Sequence, residues 1–327
     1  MGWTGSRAVT RYPGNPVLTG ADLPYPATTA YNGGAVKFRG RYVMLFRTDH
    51  WGVKWDVKSL SIRIGVATSD DGLHWRPAPK PVFQMADDDI LWAYDPRPTV
   101  IDDRLYMCFA LDTRHGIRGG VAVTDDLEHF EVLYISPPDN RNMALFPEKI
   151  DGRFARLERP FPVYGRSGDE AFDIWYTESP DARYWGTARL VLGADQVPYC
   201  NSKIGPAAPP IRTDAGWLAL FHATIKDKNR ILPSWRNENW HKMYLAGVML
   251  LDLREPWKVI GLSRQPLMVP DDAYPYEMDG YRGGVIFPCG LIPEEDGTVK
   301  IYYGAADTVM ALATARLADL IALCEPL

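Results

Sequence analysis

The chain has 327 residues, 46% of them hydrophobic and 24% charged, which suits a folded protein of one large domain or two ordinary ones. Its formal net charge of −5 argues against a general nucleic-acid binder, whose surface is strongly basic. Its four cysteines, Cys108, Cys200, Cys289 and Cys324, lie far apart without a C-x-x-C pair, which excludes a disulfide framework or zinc knuckle and fits a reducing compartment.

Taken in chain order, short β-type runs follow one another. AYNGGAV (residues 30–36) carries Asn32, and GRYVMLFR (40–47) leads into Arg47 and Asp49. GVATSDDGLHW ends at Trp75, and WAYDPRPTV places Asp95 between an aromatic and a proline. DRLYMCFA (103–110) precedes GVAVTDDLEHF, which ends at Phe130. The basic stretch NRNMALFPEKIDGRFARLERPF (140–161) holds Arg141, Asn142 and Arg159, and IWYTESPDARYW ends at Trp185. SKIG supplies Lys203 and GWLALFHA supplies His222. A polar insertion (225–242) separates them from AGVMLLDLREPW, which ends at Trp257, and TVKIYYGAADT brings Asp307. Branched and aromatic residues bounded by Gly, Asp and Pro favour strands, and no long 3.6-residue apolar period argues for helices.

The order contains a repeat. Ser69, Thr124 and Ser179 are each followed by an Asp two residues on and an aromatic four beyond that, at steps of 55 and 55 residues. The next copy ends 72 residues after Trp185, the extra length coinciding with the 225–242 insertion, and MALATARLADL (310–320) is a degenerate fifth. Units of about 65 residues are long enough for a four-stranded blade plus a loop. The expectation is an all-β protein, a single five-bladed β-propeller spanning 1–327; the alternative is a pair of β-sandwiches whose hairpins are alike by chance.

In a propeller, strand ends and connecting loops converge on a central funnel, the natural ligand site. Asn32, Arg47, Asp49, Asp95, Arg141, Asn142, Arg159, Lys203, His222 and Asp307 all follow or end β-type runs and are the candidates. Each also has a plain reading: Asp95 capping a proline turn, His222 satisfied in the core, Arg159 in a surface ion pair, Asp307 as a turn acceptor. The histidines do not cluster at metal-ligand spacing, so no metal is expected. Neither a P-loop, a G-x-G-x-x-G nor a G-x-S-x-G is present. With no apolar run of ~18 residues and no signal-peptide core, the expectation is a cytoplasmic protein with neither nucleic-acid nor membrane partners.

These motifs together resemble glycoside hydrolase family 130, the β-mannoside phosphorylases and related mannosidases. The resemblance runs from NPVL (15–18) through YDPR (94–97), the basic stretch, SKIG, GWLALFHA, AGVMLLDLREPWKVIG and VIFPCG (285–290) to YYGAADT. It implies a five-bladed propeller that cleaves β-mannosides with inorganic phosphate as co-substrate and no cofactor, giving α-mannose 1-phosphate. It implies Asp95 as the single catalytic acid, protonating the leaving oxygen through the mannosyl 3-hydroxyl. Arg141, Asn142, Arg159, Lys203 and His222 match the phosphate-binding positions; Asn32, Arg47, Asp49 and Asp307 match those contacting the mannosyl unit. The residue set is chemically coherent. An inverting glycosidase needs a second carboxylate to activate water, whereas phosphate is already anionic and needs a cationic cradle, for which the guanidinium fork is suited. Hydrolases of the family tend to lack the basic set, so the phosphorylase reading is favoured over a mannosidase or a non-catalytic sugar-binding propeller.

Linkage, β-1,2 or β-1,4, and acceptor sugar depend on loops. The segment 47–63 carries Trp51 and Trp55, read either as sugar-stacking platforms or as rings that pack the loop onto the body. The insertion 225–242 is read as a lid or as a subunit contact, which leaves homo-oligomerisation open.

Overall fold

The computed structural model describes residues 2–52, 59–161, 172–236 and 239–326. Strand β1 (Val9–Arg11) comes first, and the rest follow in blades. Blade I is β2 (Thr29–Phe38), β3 (Arg41–His50), β4 (Ser61–Ser69) and β5 (Arg76–Pro77). Blade II is β6 (Ile90–Ile101), β7 (Arg104–Thr113), β8 (Gly116–Thr124) and β9 (Glu131–Ile135). Blade III is β10 (Asn140–Leu145), β11 (Phe154–Pro160), β12 (Ile174–Ser179) and β13 (Gly186–Leu192). Blade IV is β14 (Ile204–Pro206), β15 (Ile211–Thr213), β16 (Gly216–Lys226), β17 (Lys242–Leu251) and β18 (Val259–Leu262). Blade V is β19 (Ile286–Pro293), β20 (Thr298–Ala305) and β21 (Val309–Arg316), and β1 completes it by pairing with β21. The expected five-bladed propeller is therefore the fold, with two short helices, α1 (Pro275–Met278) and α2 (Leu317–Ala322). Among the described residues no helix is long and apolar enough to cross a membrane.

The runs GRYVMLFR, DRLYMCFA, GWLALFHA and TVKIYYGAA fall on β3, β7, β16 and β20, each the second strand of its sheet, paired with the first strand of blades I, II, IV and V. Every pairing is antiparallel within a blade, so each first strand starts, and each second strand ends, at one face of the disc. The repeat lies at the opposite face and does structural work. Its Asp accepts two backbone N–H bonds in the turn that follows the third strand: Asp71 from Leu73 and His74, Asp126 from Glu128 and His129, Asp181 from Arg183 and Tyr184. Asp252 does the same in blade IV with Arg254 and Glu255. The degenerate fifth copy has no such turn, because β21 runs directly into α2.

The repeat's aromatic plugs the seam to the preceding blade. Trp75 meets Tyr302 of blade V at 5.7 Å, Trp185 meets Tyr134 of blade II at 6.3 Å, and Trp257 meets Tyr176 of blade III at 5.4 Å. The hydrophobic core is thus distributed between blades, with one main buried cluster for each neighbouring pair. A blade cannot bury both faces alone, which is why the unit repeats.

Candidate active site

Three first strands carry the same local device. β2, β6 and β10 each shift register beside a candidate residue, between Tyr31 and Gly34, Tyr94 and Arg97, and Arg141 and Ala144. Inside those bulges Asn32, Asp95 and Asn142 adopt left-handed backbone, at φ 47°, 53° and 58°. Asn and Asp enter that region more readily than other non-glycine residues, and a bulge re-aims a side chain out of the strand's alternation. Asp307 is left-handed too (φ 49°), in the turn joining β20 to β21. Four of the candidate residues are therefore turned toward the axis by backbone geometry.

A cavity of about 110 Å³ opens there, lined by Asn32, Arg47, Tyr94, Asp95, Arg141, Asn142, Arg159, His222, Trp240, Tyr244, Arg282, Val285, Phe287 and Asp307. Eight of the ten residues singled out from the sequence thus line one cavity. The other two sit behind it: Asp49 is held by Arg47, and Lys203 lies 5.3 Å from the Tyr244 ring centre.

One half of the cavity is acidic but balanced. Arg47 donates from Nε and Nη2 to the two oxygens of Asp49, both at 2.8 Å, and approaches Asp95 Oδ1 at 3.7 Å. Its guanidinium lies between the Tyr31 and Tyr94 rings, 4.8 Å from each. Tyr31 donates its hydroxyl to Asp49 at 3.0 Å, and Asn32 donates its amide to Asp95 Oδ1 at 3.1 Å. Asn32 reaches this position because Gly304 lacks a Cβ, which would fall 2.2 Å from the Asn32 oxygen. Burial raises the Asp307 carboxyl to about 6, against the opposing pull of Arg282 and Arg47.

The other half is cationic and unbalanced. Arg141 and Arg159 are directly opposite in the β10–β11 register, and Arg159 is almost fully buried. Arg159 donates to His222 Nε2 at 3.2 Å, so the neutral imidazole carries its proton on Nδ1. Gly205 opposite His222 makes room for the ring, since a Cβ would meet Cε1 at 2.5 Å. Burial lowers Arg159 to about 9, with Arg141 adding to the effect; burial and then Arg159 lower Lys203 to about 6. The same causes hold His222 well below its ordinary value. Arg141 Nε, Arg159 Nε and Nη2, and His222 Nδ1 are buried with no protein partner. Buried donors without partners cost about 1–3 kcal/mol each, and four of them gathered around one cavity are suited to an anionic ligand. Among the described residues, the only carboxylates lining the cavity, Asp95 and Asp307, belong to the other half.

The family model of glycoside hydrolase family 130, described as β-1,4-mannooligosaccharide phosphorylase, matches residues 7–326. The chain belongs to glycoside hydrolase family 130. It is 31% identical to the β-1,4-mannooligosaccharide phosphorylase of Ruminococcus albus, over 96% of this chain and 90% of that one. It is 28% identical to the β-1,2-mannobiose phosphorylase of Listeria innocua, over 96% and 97%. The solved structure of a Listeria innocua β-1,2-mannobiose phosphorylase in complex with β-1,2-mannobiose superposes with a TM-score of 0.82 at 27% identity, covering 96% of this chain and 98% of that one.

Within this family-130 chain some residues in or beside the cavity were not singled out from the sequence. Tyr94 precedes Asp95 and donates to Asp112 at 2.6 Å. Arg97, two residues beyond Asp95, is buried without a carboxylate; it donates to the Ala207 carbonyl at 2.6 Å and to the Asp95 carbonyl at 3.4 Å. It therefore braces the bulge that carries Asp95. Tyr31-Asn32 and Tyr94-Asp95 share an aromatic–amide or aromatic–acid dipeptide, a pattern from which the bulges of blades I and II were readable. Trp51 packs onto the body, its ring 5.5 Å from Tyr281, which favours packing over a sugar platform. Trp55 lies outside the described residues.

Proposed function

We propose that this chain catalyses inverting phosphorolysis of short β-1,2- or β-1,4-mannooligosaccharides, releasing α-mannose 1-phosphate and a shortened acceptor. The observation that carries this reading is the buried cationic half-site, in which Arg141, Arg159, Lys203 and His222 face one another without a carboxylate among them. Phosphate placed there relieves their mutual repulsion and supplies acceptors for their orphaned donors. It is held as the nucleophile toward a sugar bound by Asn32, Arg47, Asp49 and Asp307, so positioning and charge supply most of the catalysis.

Asp95 is the acid. A phosphate oxygen bonds to C1 as the C1–O bond to the leaving sugar breaks, and the proton of Asp95 passes to that oxygen by way of the mannosyl 3-hydroxyl. Phosphate loses its own proton on becoming a sugar phosphate, so the carboxyl is reset with no net proton consumed. No metal enters this scheme. The charged product does not cross membranes, which suits a cytoplasmic enzyme.

The test is direct. Purified protein given β-1,2- and β-1,4-mannobiose should release mannose 1-phosphate only when phosphate is supplied. Equal release of free mannose in phosphate-free buffer would identify a hydrolase instead.

A further inference from the structure

The insertion 225–242 is fastened at several points to the segment that leads into β19. Trp235 donates its indole N–H to Asp279 at 2.8 Å, and Trp240 donates to the Gly283 carbonyl at 2.9 Å. The Gly283 N–H donates to the Pro233 carbonyl at 2.8 Å. Between these anchors stands Arg282, a cavity-lining residue whose backbone N–H donates to Ala306 at 3.0 Å, beside Asp307.

The Arg282 guanidinium lies over the Trp240 ring at 4.8 Å and the Tyr281 ring at 5.3 Å. Trp240 in turn stacks on Tyr244, with ring planes 9° apart. Tyr244 is the ring beneath Lys203, at 5.3 Å, and lies 5.8 Å from His222. An aromatic wall thus runs unbroken from the insertion to the cationic half of the cavity, with Arg282 seated on it. A guanidinium stacked on rings keeps its in-plane donors at its edge, where they match the oxygens of a phosphate.

The geometry points to Arg282 as a further phosphate-binding residue, held on the phosphate side of the cavity by the 225–242 insertion. The inference rests on the phosphorolytic reading and extends it: the insertion is a buttress for a further cation. Arg282 also contributes to the weakened proton affinity of Lys203 and, from the same place, pulls on Asp307.

The experiment measures binding of inorganic phosphate to the free enzyme by calorimetry, alongside KM for phosphate and for the mannoside. Arg282→Met should weaken phosphate binding about tenfold or more, the size expected for losing a charge-assisted pair of hydrogen bonds. The mannoside KM should stay within about twofold, and Arg282→Lys should recover part of the loss because the charge persists without the fork. Trp235→Phe, which removes the indole N–H to Asp279 while keeping an aromatic ring, should move phosphate binding the same way by a smaller factor, and it carries the test if Arg282→Met does not fold. Unchanged phosphate affinity, or a rise confined to the mannoside KM, overturns the assignment. Wild-type protein that binds phosphate without turning over substrate overturns the proposed function alone; wild-type protein that does not bind phosphate overturns both.

Discussion

Arg141 and Arg159 stand directly opposite one another across the first two strands of blade III. Like charges at facing positions of an antiparallel pair are destabilising, and here both side chains point into the cavity rather than to water. The pair makes sense as half of a binding site whose other half is supplied by the ligand. It also predicts that removing a cation strengthens the empty fold while weakening its function.

Lys203→Met is the cleanest version of that prediction, since burial among the arginines makes this lysine give up its proton on folding and its ring partner, Tyr244, tolerates an apolar stem. In phosphate-free buffer the variant should unfold a few degrees higher than wild type, on the order of 1 kcal/mol more stable. The rise in melting temperature that phosphate gives the wild type should largely vanish. Scanning calorimetry with and without phosphate reads both effects, and a variant that melts lower while still responding to phosphate would contradict the scheme.

The same lysine fixes a pH dependence. Its folded pKa of about 6 lies below its unfolded value of 10.5, so between those values the unfolded chain binds more protons and the stability of the empty protein rises with pH. Asp307 acts over a lower window. Its pKa goes up from 3.8 to about 6 on folding, so its contribution is full below the unfolded value and is lost as pH climbs through about 6. Lys203→Met should flatten the upper slope and Asp307→Asn the lower one, in denaturant titrations across pH.

Phosphate binding should also take up protons. At pH ~8 phosphate is already a dianion and Lys203 is largely neutral in the empty site, so charging the lysine on binding draws a proton from buffer. Calorimetry in buffers of differing ionisation enthalpy measures that uptake, and Lys203→Met should reduce it.

Asp95→Asn should lower kcat by about 10²–10⁴-fold, the usual worth of a positioned general acid. Asn can occupy the same left-handed bulge, so circular dichroism and melting temperature should change little. Near-normal turnover by this variant would remove Asp95 from the role of acid.

Asp49→Asn separates the two halves of the site. It breaks the bidentate hold on Arg47 without touching the cations, so the mannoside KM should rise about tenfold or more while phosphate affinity stays near wild type. Initial-rate kinetics with each substrate varied in turn decides this.

Trp185→Ala tests the seam. The indole packs against Tyr134 and lies 3.9 Å beneath the buried Arg156 guanidinium, so its loss should destabilise the protein by about 3 kcal/mol. Because the repeat occupies the face away from the cavity, both KM values should hold. Urea unfolding and kinetics on one preparation check the two halves of the statement.

The sequence carried the architecture well because propeller turns are local. A Ser or Thr, an Asp and an aromatic at fixed offsets form a complete hydrogen-bonded unit, and 55-residue spacing exposes it. The basic stretch at 140–161 was legible in part. Arg141 and Arg159 do meet in the cavity, whereas Lys149 and Arg153 lie in the outer hairpin, with Asp102 and Glu178 as their partners. Arg156, three residues on, is a buried strand residue paired to Glu158 at 2.7 Å. Its alternation along β11 was available, but a charged residue between Ala155 and Leu157 reads as exposed. Arg282, Trp240 and Arg97 were not legible, because their placement depends on contacts between blades that no local pattern encodes.

The seal of the ring has a kinetic consequence. Val9 pairs with Ala315 and Arg11 with Ala313, so blade V cannot be completed until segments some three hundred residues apart have met. Blades I to IV are assembled from near neighbours, whereas this closure carries a large sequence separation and its loop entropy. Asp307 sits in the very blade that waits. Catalytic competence should therefore appear as the last event of refolding, after most of the secondary structure has formed.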